Sequence, residues 1–258
     1  MSRPGVAVWL LTAALVLFGT PAGACSLVAG WEPYGLFSFR DKSGAVAGFD
    51  IDVYTVLGRE AGCEITFRES PFARLMVELE QGLIHSTSSL KRTPEREALF
   101  WFSRSYRQSR ISLYVRKGEA AAFPFSDLGQ VAEARFRLGA VAGYYLGARF
   151  AELMRQPAFA AKVEMAVDQA LNVQKLINNR IEGLITDDEA VIESILAETG
   201  QGAKIERHPL KLEETDLHVA FSRKSVDEAT FQKFDRALQS IISDGRLAAI
   251  AARYAVKP

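Results

Sequence analysis

Residues that hold metals or carry redox chemistry are scarce in this chain, which has two cysteines and three histidines in 258 residues. His85, His208 and His218 are scattered, so neither a metal site nor a cofactor is expected. No C-x-x-C, H-E-x-x-H, G-x-S-x-G or Walker A motif occurs, which leaves the commoner redox, hydrolytic and nucleotide chemistries without their residues. Charge of one sign is also missing. The 31 basic residues balance 31 acidic ones. With no basic block, this argues against a nucleic acid or an anionic membrane surface as partner. A small or zwitterionic ligand fits such a chain better. Long apolar runs are absent beyond Val6 to Phe18, and those 13 residues are too few to span a bilayer comfortably. No repeat of about 20–50 residues and no low-complexity tract is present.

That one apolar run belongs to an N-terminal leader. Arg3 gives a weak basic region ahead of it, and Ala22-Gly23-Ala24 follows as a small-residue cleavage pattern. Residues 1–24 read as a secretory signal peptide that delivers a soluble chain to the periplasm. A lipoprotein reading competes, because cleavage leaves Cys25 first, although Ala22 stands where a lipobox usually has leucine. Removing the leader leaves 234 residues, enough for one large domain or two small lobes. In an exported protein two cysteines suggest a disulfide. Cys25 and Cys63 each precede a β-rich run, Ser26 to Ala29 and Glu64 to Phe67. If these runs are neighbouring parallel strands, their starts lie side by side within disulfide reach. Two unrelated thiols are the other reading.

Strand-like and helix-like segments alternate along the exported chain. Ser26 to Gly30, Ile65 to Phe67 and Ser109 to Val115 read as strands. Phe49 to Ala61 and Phe72 to Gln81 read as helices stopped by Gly62 and Gly82. This βαβ order implies a parallel sheet with helices on its faces. Lys117 to Gly129 is polar and rich in small residues, and after it the pattern restarts. Strands are expected at Arg137 to Val141, Val163 to Met165, Gly183 to Thr186 and Leu217 to Ser222. Helices are expected within Gly143 to Met154, Val167 to Asn178, Glu189 to Leu196 and Val226 to Gly245. The reading is an α/β protein of two lobes, residues 25–115 with 217–258 and residues 116–216, joined by strands near Leu113 and Val219. Four loops at strand ends then wall a cleft: Trp31 to Leu36, Ser88 to Lys91, Gly143 to Leu146 and Asp187 to Asp188.

The stretch Ser88 to Tyr106 carries the clearest chemistry. Thr93 suits a helix N-cap and Pro94 the first helical position, so a short helix starts there. Arg96 lies in its first turn. Its planar fork can grip a carboxylate with two parallel hydrogen bonds, and main-chain N–H groups at a helix start favour an anion. An exposed arginine on a capped surface helix is the plainer alternative.

Gly48-Phe49-Asp50-Ile51-Asp52, Thr93-Pro94-Glu95-Arg96, Phe102-Ser103, Tyr106, the Gly139 to Gly143 stretch and Asp244-Gly245 share an order and spacing. In these the chain resembles the family 3 periplasmic solute-binding proteins of the polar amino-acid type, from Ser26 to Tyr254. The resemblance implies a type II periplasmic-binding-protein fold, a monomer that closes on a small-molecule ligand, and delivery to an ABC permease in the inner membrane. It also implies a site. Arg96 matches the arginine for the ligand's α-carboxylate and Asp187 the carboxylate for its α-ammonium. Tyr34 and Phe72 match the aromatic walls, and Ser89 and Lys91 match loop positions that donate or accept.

Some positions depart from the family pattern. Tyr144-Tyr145 stands where serine or threonine usually helps to hold the carboxylate. Trp31 replaces an acidic or small residue, and His85 stands where aspartate is common. Gly143-Tyr144-Tyr145-Leu146-Gly147 and Pro71-Phe72-Ala73-Arg74 mark a divergent branch, with Tyr144, Tyr145, Trp31 and Arg74 added to the candidate site. The fold is shared, by resemblance, with periplasmic cyclohexadienyl dehydratases, which need an acid in the cleft. Glu32 is the one acid placed near the first loop, and it reads as an exposed loop carboxylate. Binding without catalysis is therefore the expectation, with a dehydratase-like enzyme or a ligand sensor for a separate signalling partner as the alternatives.

Overall fold

The computed structural model describes residues 25–256, and the expected leader, residues 1–24, lies outside them. β1 (Cys25–Trp31) passes through a 3-10 turn at Gly35–Phe37 and a short hairpin, β2 (Phe39–Arg40) and β3 (Val46–Ala47), into α1 (Phe49–Ala61). β4 (Cys63–Glu69), α2 (Phe72–Gln81), β5 (Ser86–Lys91), α3 (Pro94–Glu97), β6 (Phe100–Phe102) and β7 (Arg107–Arg110) follow. Helices α1 and α2 have the bounds that apolar spacing predicts. Gly62 and Gly82 end them in the left-handed conformation, at φ 69° and 77°, where a Cβ is unfavourable. Gly48 opens α1 at φ 130°, and a Cβ there would sit 2.3 Å from the Phe37 carbonyl oxygen. Only glycine lets the helix start that close to the turn before it.

The chain then crosses to a second sheet. β8 (Ser112–Arg116), β9 (Leu138–Val141), α4 (Ala148–Leu153), α5 (Pro157–Ala160), β10 (Val163–Ala166), α6 (Gln169–Ile177), β11 (Gly183–Thr186), α7 (Glu189–Thr199) and β12 (Ile205–Arg207) build the second lobe. β13 (Glu214–Ser222) returns to the first sheet, and α8 (Glu228–Ser243) and α9 (Arg246–Arg253) close the described chain. Strand order is β4-β1-β5-β13-β6, with β7 also on β13, in one lobe and β10-β9-β11-β8-β12 in the other. Helices pack on both faces of each sheet, so each lobe has an apolar core on either side.

Neither sheet is purely parallel, as the βαβ order alone implies. β1, β4 and β5 run parallel, as do β9, β10 and β11, but β13 and β8 run against them. These are the two strands that enter a sheet from across the hinge. The expected single strand at Ser109 to Val115 is two, because sheet membership changes at Ile111. The first lobe's first segment therefore ends there and not at residue 115. Leu113 and Val219, expected at the hinge, lie inside β8 and β13. The crossings run instead through Ile111 and Glu213, and the Ile111 N–H donates to the Glu213 carbonyl at 2.9 Å.

Cys25 faces Cys63 in the parallel register of β1 and β4. The two are disulfide-bonded with Cα atoms 4.4 Å apart and a sequence separation of 38. Closing a loop of that length contributes about 3–4 kcal/mol in the chain-entropy account. The Cys25 sulfur is thereby committed and cannot also carry a thioether-linked lipid.

Candidate functional site

The carboxyl ends of β1, β5, β9 and β11 meet between the lobes and enclose a cleft. Trp31, Tyr34, Phe72, Ser89, Lys91 and Arg96 line it from the first lobe, and Tyr144, Tyr145 and Asp187 from the second. Arg74 is the one expected site residue that does not. It is exposed and pairs with Glu78 along α2 at 2.8 Å. Two helical residues past Phe72 turn a side chain by about 200°, to the far face. Glu32, Ser38, Asp50, Leu75, Thr87, Ser88 and Leu90 complete the lining.

Ser88 to Lys91, expected as a loop, is the end of strand β5. Pairing with β13 satisfies its main chain, and the register slips between His218 and Ala220, opposite Ser88 and Ser89. Two residues thus oppose one, a β-bulge that re-aims side chains. Ser89 takes φ 53° there and its N–H donates to the Tyr106 hydroxyl at 3.0 Å.

Lys91 and Asp187 form the central pair. Lys91 Nζ donates to Asp187 Oδ2 at 2.9 Å and to the Asp187 carbonyl at 2.6 Å. Its side chain is 3% exposed. Burial lowers the lysine pKa below its ordinary value, and the aspartate works against that. The Tyr34 hydroxyl donates to the same Oδ2 at 2.9 Å, while Asp187 Oδ1 is buried without a partner. Arg96 lies in the first turn of α3 as expected, with the Thr93 hydroxyl accepting from its N–H at 3.3 Å. Its guanidinium donates to two main-chain carbonyls, Lys91 at 3.0 Å and Gly143 at 3.1 Å. It is half-buried, and desolvation lowers its pKa.

Glu32 is not an exposed loop acid. It follows β1 directly, is 8% exposed, and accepts from the Tyr144 hydroxyl at 2.7 Å and the Phe72 N–H at 3.2 Å. Burial, despite these bonds, pushes its pKa up to about 8. Its position one residue past a central strand was a sequence signal for burial that a loop reading ignores. Behind the cleft lies an arginine that the sequence reading missed. Arg107 donates to Asp188 Oδ2 at 2.5 Å and to the Ser89 hydroxyl at 2.7 Å, with its guanidinium 3.6 Å from the centre of the Phe37 ring. Asp188 therefore faces away from the cleft while Asp187 faces into it.

The walls are aromatic. Tyr144 meets Phe72 and Tyr34 edge-on, with ring centres 4.9 and 6.1 Å apart. The Tyr145 hydroxyl is engaged by Glu213 at 3.0 Å, next to the hinge. Lys91–Asp187, Tyr34–Asp187, Glu32–Tyr144 and Arg96–Gly143 all cross between the lobes, so the cleft is closed. Its free volume is about 30 Å³, room for about two waters. The histidines serve the main chain. His85 Nδ1 accepts from the Val28 N–H at 2.9 Å, and ring nitrogens of His208 and His218 each lie 2.7 Å from a carbonyl. Among the described residues no cluster of His, Cys, Asp or Glu is placed to hold a metal.

Residues 27–257 match the family described as bacterial extracellular solute-binding proteins, family 3. A probable amino-acid ABC transporter-binding protein of Haemophilus influenzae is 24% identical over 231 residues, covering 88% of this chain and 83% of the relative. Among solved structures, a histidine kinase sensor domain similar to periplasmic binding proteins superposes with a TM-score of 0.77 at 13% identity, covering 92% of this chain and 98% of that one. An ancestral arginine-binding protein bound to glutamine gives 0.75 at 21% identity, over 89% and 97%. At such identities the structures speak for the fold.

Proposed function

We propose, from the premise that this chain belongs to the family 3 bacterial extracellular solute-binding proteins, that it captures a small solute, an amino acid or a related carboxylate, in the periplasm for an ABC permease. The observation that carries this is the cleft itself, where Arg96 and three aromatic rings converge between two lobes joined by two crossings. The carboxylate replaces the main-chain carbonyls now held by Arg96, and a charge-assisted bidentate pair is stronger than those neutral bonds. Groups from both lobes then touch one ligand, and closure follows from those differential contacts. A thermal-shift panel of amino acids, amines and small organic acids tests the reading. A ligand at 100 times its dissociation constant stabilises by about 2.7 kcal/mol.

Glu32 gives the enzymatic alternative its one supporting observation. A buried acid with its pKa raised to about 8 is protonated at neutral pH and can donate a proton. Both of its oxygens, however, are already bonded to the protein. The expected outcome is that the ligand is recovered chemically unchanged after incubation. A dehydrated product formed at a rate that depends on Glu32 would overturn the binding reading.

A further inference from the structure

We infer that Lys91 supplies from within the protein the ammonium that an amino-acid ligand would bring, so that the site selects carboxylates lacking an α-amino group. This rests on the reading that solutes bind in the cleft through Arg96. The cleft has three acids in its lining. Asp50 accepts from Tyr106 and Ser89 on its two oxygens, and Glu32 accepts from Tyr144 and Phe72 on its two. Asp187 alone keeps a free oxygen, Oδ1, and is the place for a ligand ammonium. Yet Lys91 Nζ already sits 2.9 Å from the other oxygen and 2.6 Å from the same residue's carbonyl. Tyr34 adds a second donor to Oδ2.

An incoming ammonium at Oδ1 would be a second cation on one carboxylate, beside Lys91. Like charges at such range repel strongly in a site of low effective dielectric. Glu32 does not offset this, since both of its oxygens are already taken by the Tyr144 hydroxyl and the Phe72 N–H. Apart from that Asp187 oxygen, the unspent capacity belongs to donors. Arg96 holds only main-chain carbonyls, and the buried Trp31 Nε1 has no partner. Two donors, beside an aspartate whose charge Lys91 already pairs, suit a carboxylate, with an aromatic or aliphatic remainder against Phe72, Tyr34 and Tyr144.

Matched pairs test the inference: L-alanine with propionate, L-phenylalanine with 3-phenylpropionate, and L-glutamate with glutarate, titrated calorimetrically against the purified protein and Lys91→Met. In the wild type the amine-free member of at least one pair binds tenfold or more tightly than its amino acid. In Lys91→Met that preference reverses, because Asp187 is then free for an ammonium. An amino acid that binds the wild type more tightly than its deaminated partner overturns the inference, and so does a Lys91→Met preference equal to that of wild type. If Lys91→Met fails to fold, the wild-type pairs decide alone. If carboxylates bind the wild type and Arg96→Ala binds them equally well, or if no member of any pair binds, the binding reading falls and the inference with it.

Discussion

Asp187 and Asp188 are consecutive residues that serve two different buried charge clusters. Asp188 belongs with Arg107 and Asp50, where every carboxylate oxygen has a partner: Arg107 and the Ala190 N–H on Asp188, Tyr106 and Ser89 on Asp50. Burial still raises the Asp188 pKa, and the arginine opposes that rise. Asp187 belongs with Lys91, Tyr34 and Arg96, where Oδ1 of the aspartate and Nε1 of nearby Trp31 are left without partners. Buried polar groups are almost always satisfied, so unsatisfied ones need a reason. The first cluster, sealed at its carboxylates with only Arg107 Nε left unbonded, bridges the lobes near the hinge. The unsealed one keeps bonding capacity for something that is not protein.

The sharpest way to break this contrast is to remove each cluster's arginine. Arg107→Met leaves Asp50 and Asp188 buried without a cation, and about 3–5 kcal/mol of stability should be lost in urea unfolding. A loss below about 1 kcal/mol would mean that the cluster is not sealed as described. Arg96→Ala should leave the unfolding midpoint near that of wild type, since only main-chain carbonyls lose a partner. It should instead weaken carboxylate binding by about 2–5 kcal/mol. A variant that binds within threefold of wild type would place the ligand elsewhere.

Glu32 sharpens the contrast through pH. Its folded pKa of about 8 lies above the ordinary 4.5, so the folded state holds a proton that the unfolded state releases between those values. Stability from this group is whole below about 4.5 and falls as pH rises toward 8, by at most about 1.4 kcal/mol per pH unit. Glu32→Gln should flatten that slope in unfolding curves measured from pH 5 to 8, and a slope equal to wild type would show that the acid is ionised in place. The smallest effect is expected from Tyr144→Phe, which removes one hydrogen bond across the cleft, worth about 1 kcal/mol. Small-angle scattering of the ligand-free variant should show a larger radius of gyration than wild type, and an unchanged radius would mean that the bond does not hold the lobes together.

Much of the architecture was legible because periodicity and punctuation are local. Helix α1 and helix α2 could be bounded from apolar spacing and from Gly62 and Gly82, and the disulfide from two cysteines at parallel strand starts. The site was legible as a set of residue types, through Arg96 after a capped turn and aromatic residues in strand-end loops. What was hidden depends on partners distant in sequence. The bulge at Ser88-Ser89 exists because β13 pairs there through His218 and Ala220, 129 or more positions downstream of Ser89. Arg107 looks like any strand residue until Asp188, 81 positions away, is folded against it. Lys91 read as a loop donor because nothing local says that it reaches Asp187, 96 residues on.

The four bonds that cross the cleft stabilise the closed form, and whatever stabilises closure without a ligand has a cost for capture. A protein that closes on itself presents an open, binding-competent form only part of the time, and its apparent dissociation constant is the intrinsic one divided by that fraction. If the open form were one molecule in ten, affinity measured in solution would be about tenfold weaker than the site's own. Weakening the Glu32–Tyr144 latch from its Glu32 side then tightens apparent binding while the Tyr144 ring stays in the wall.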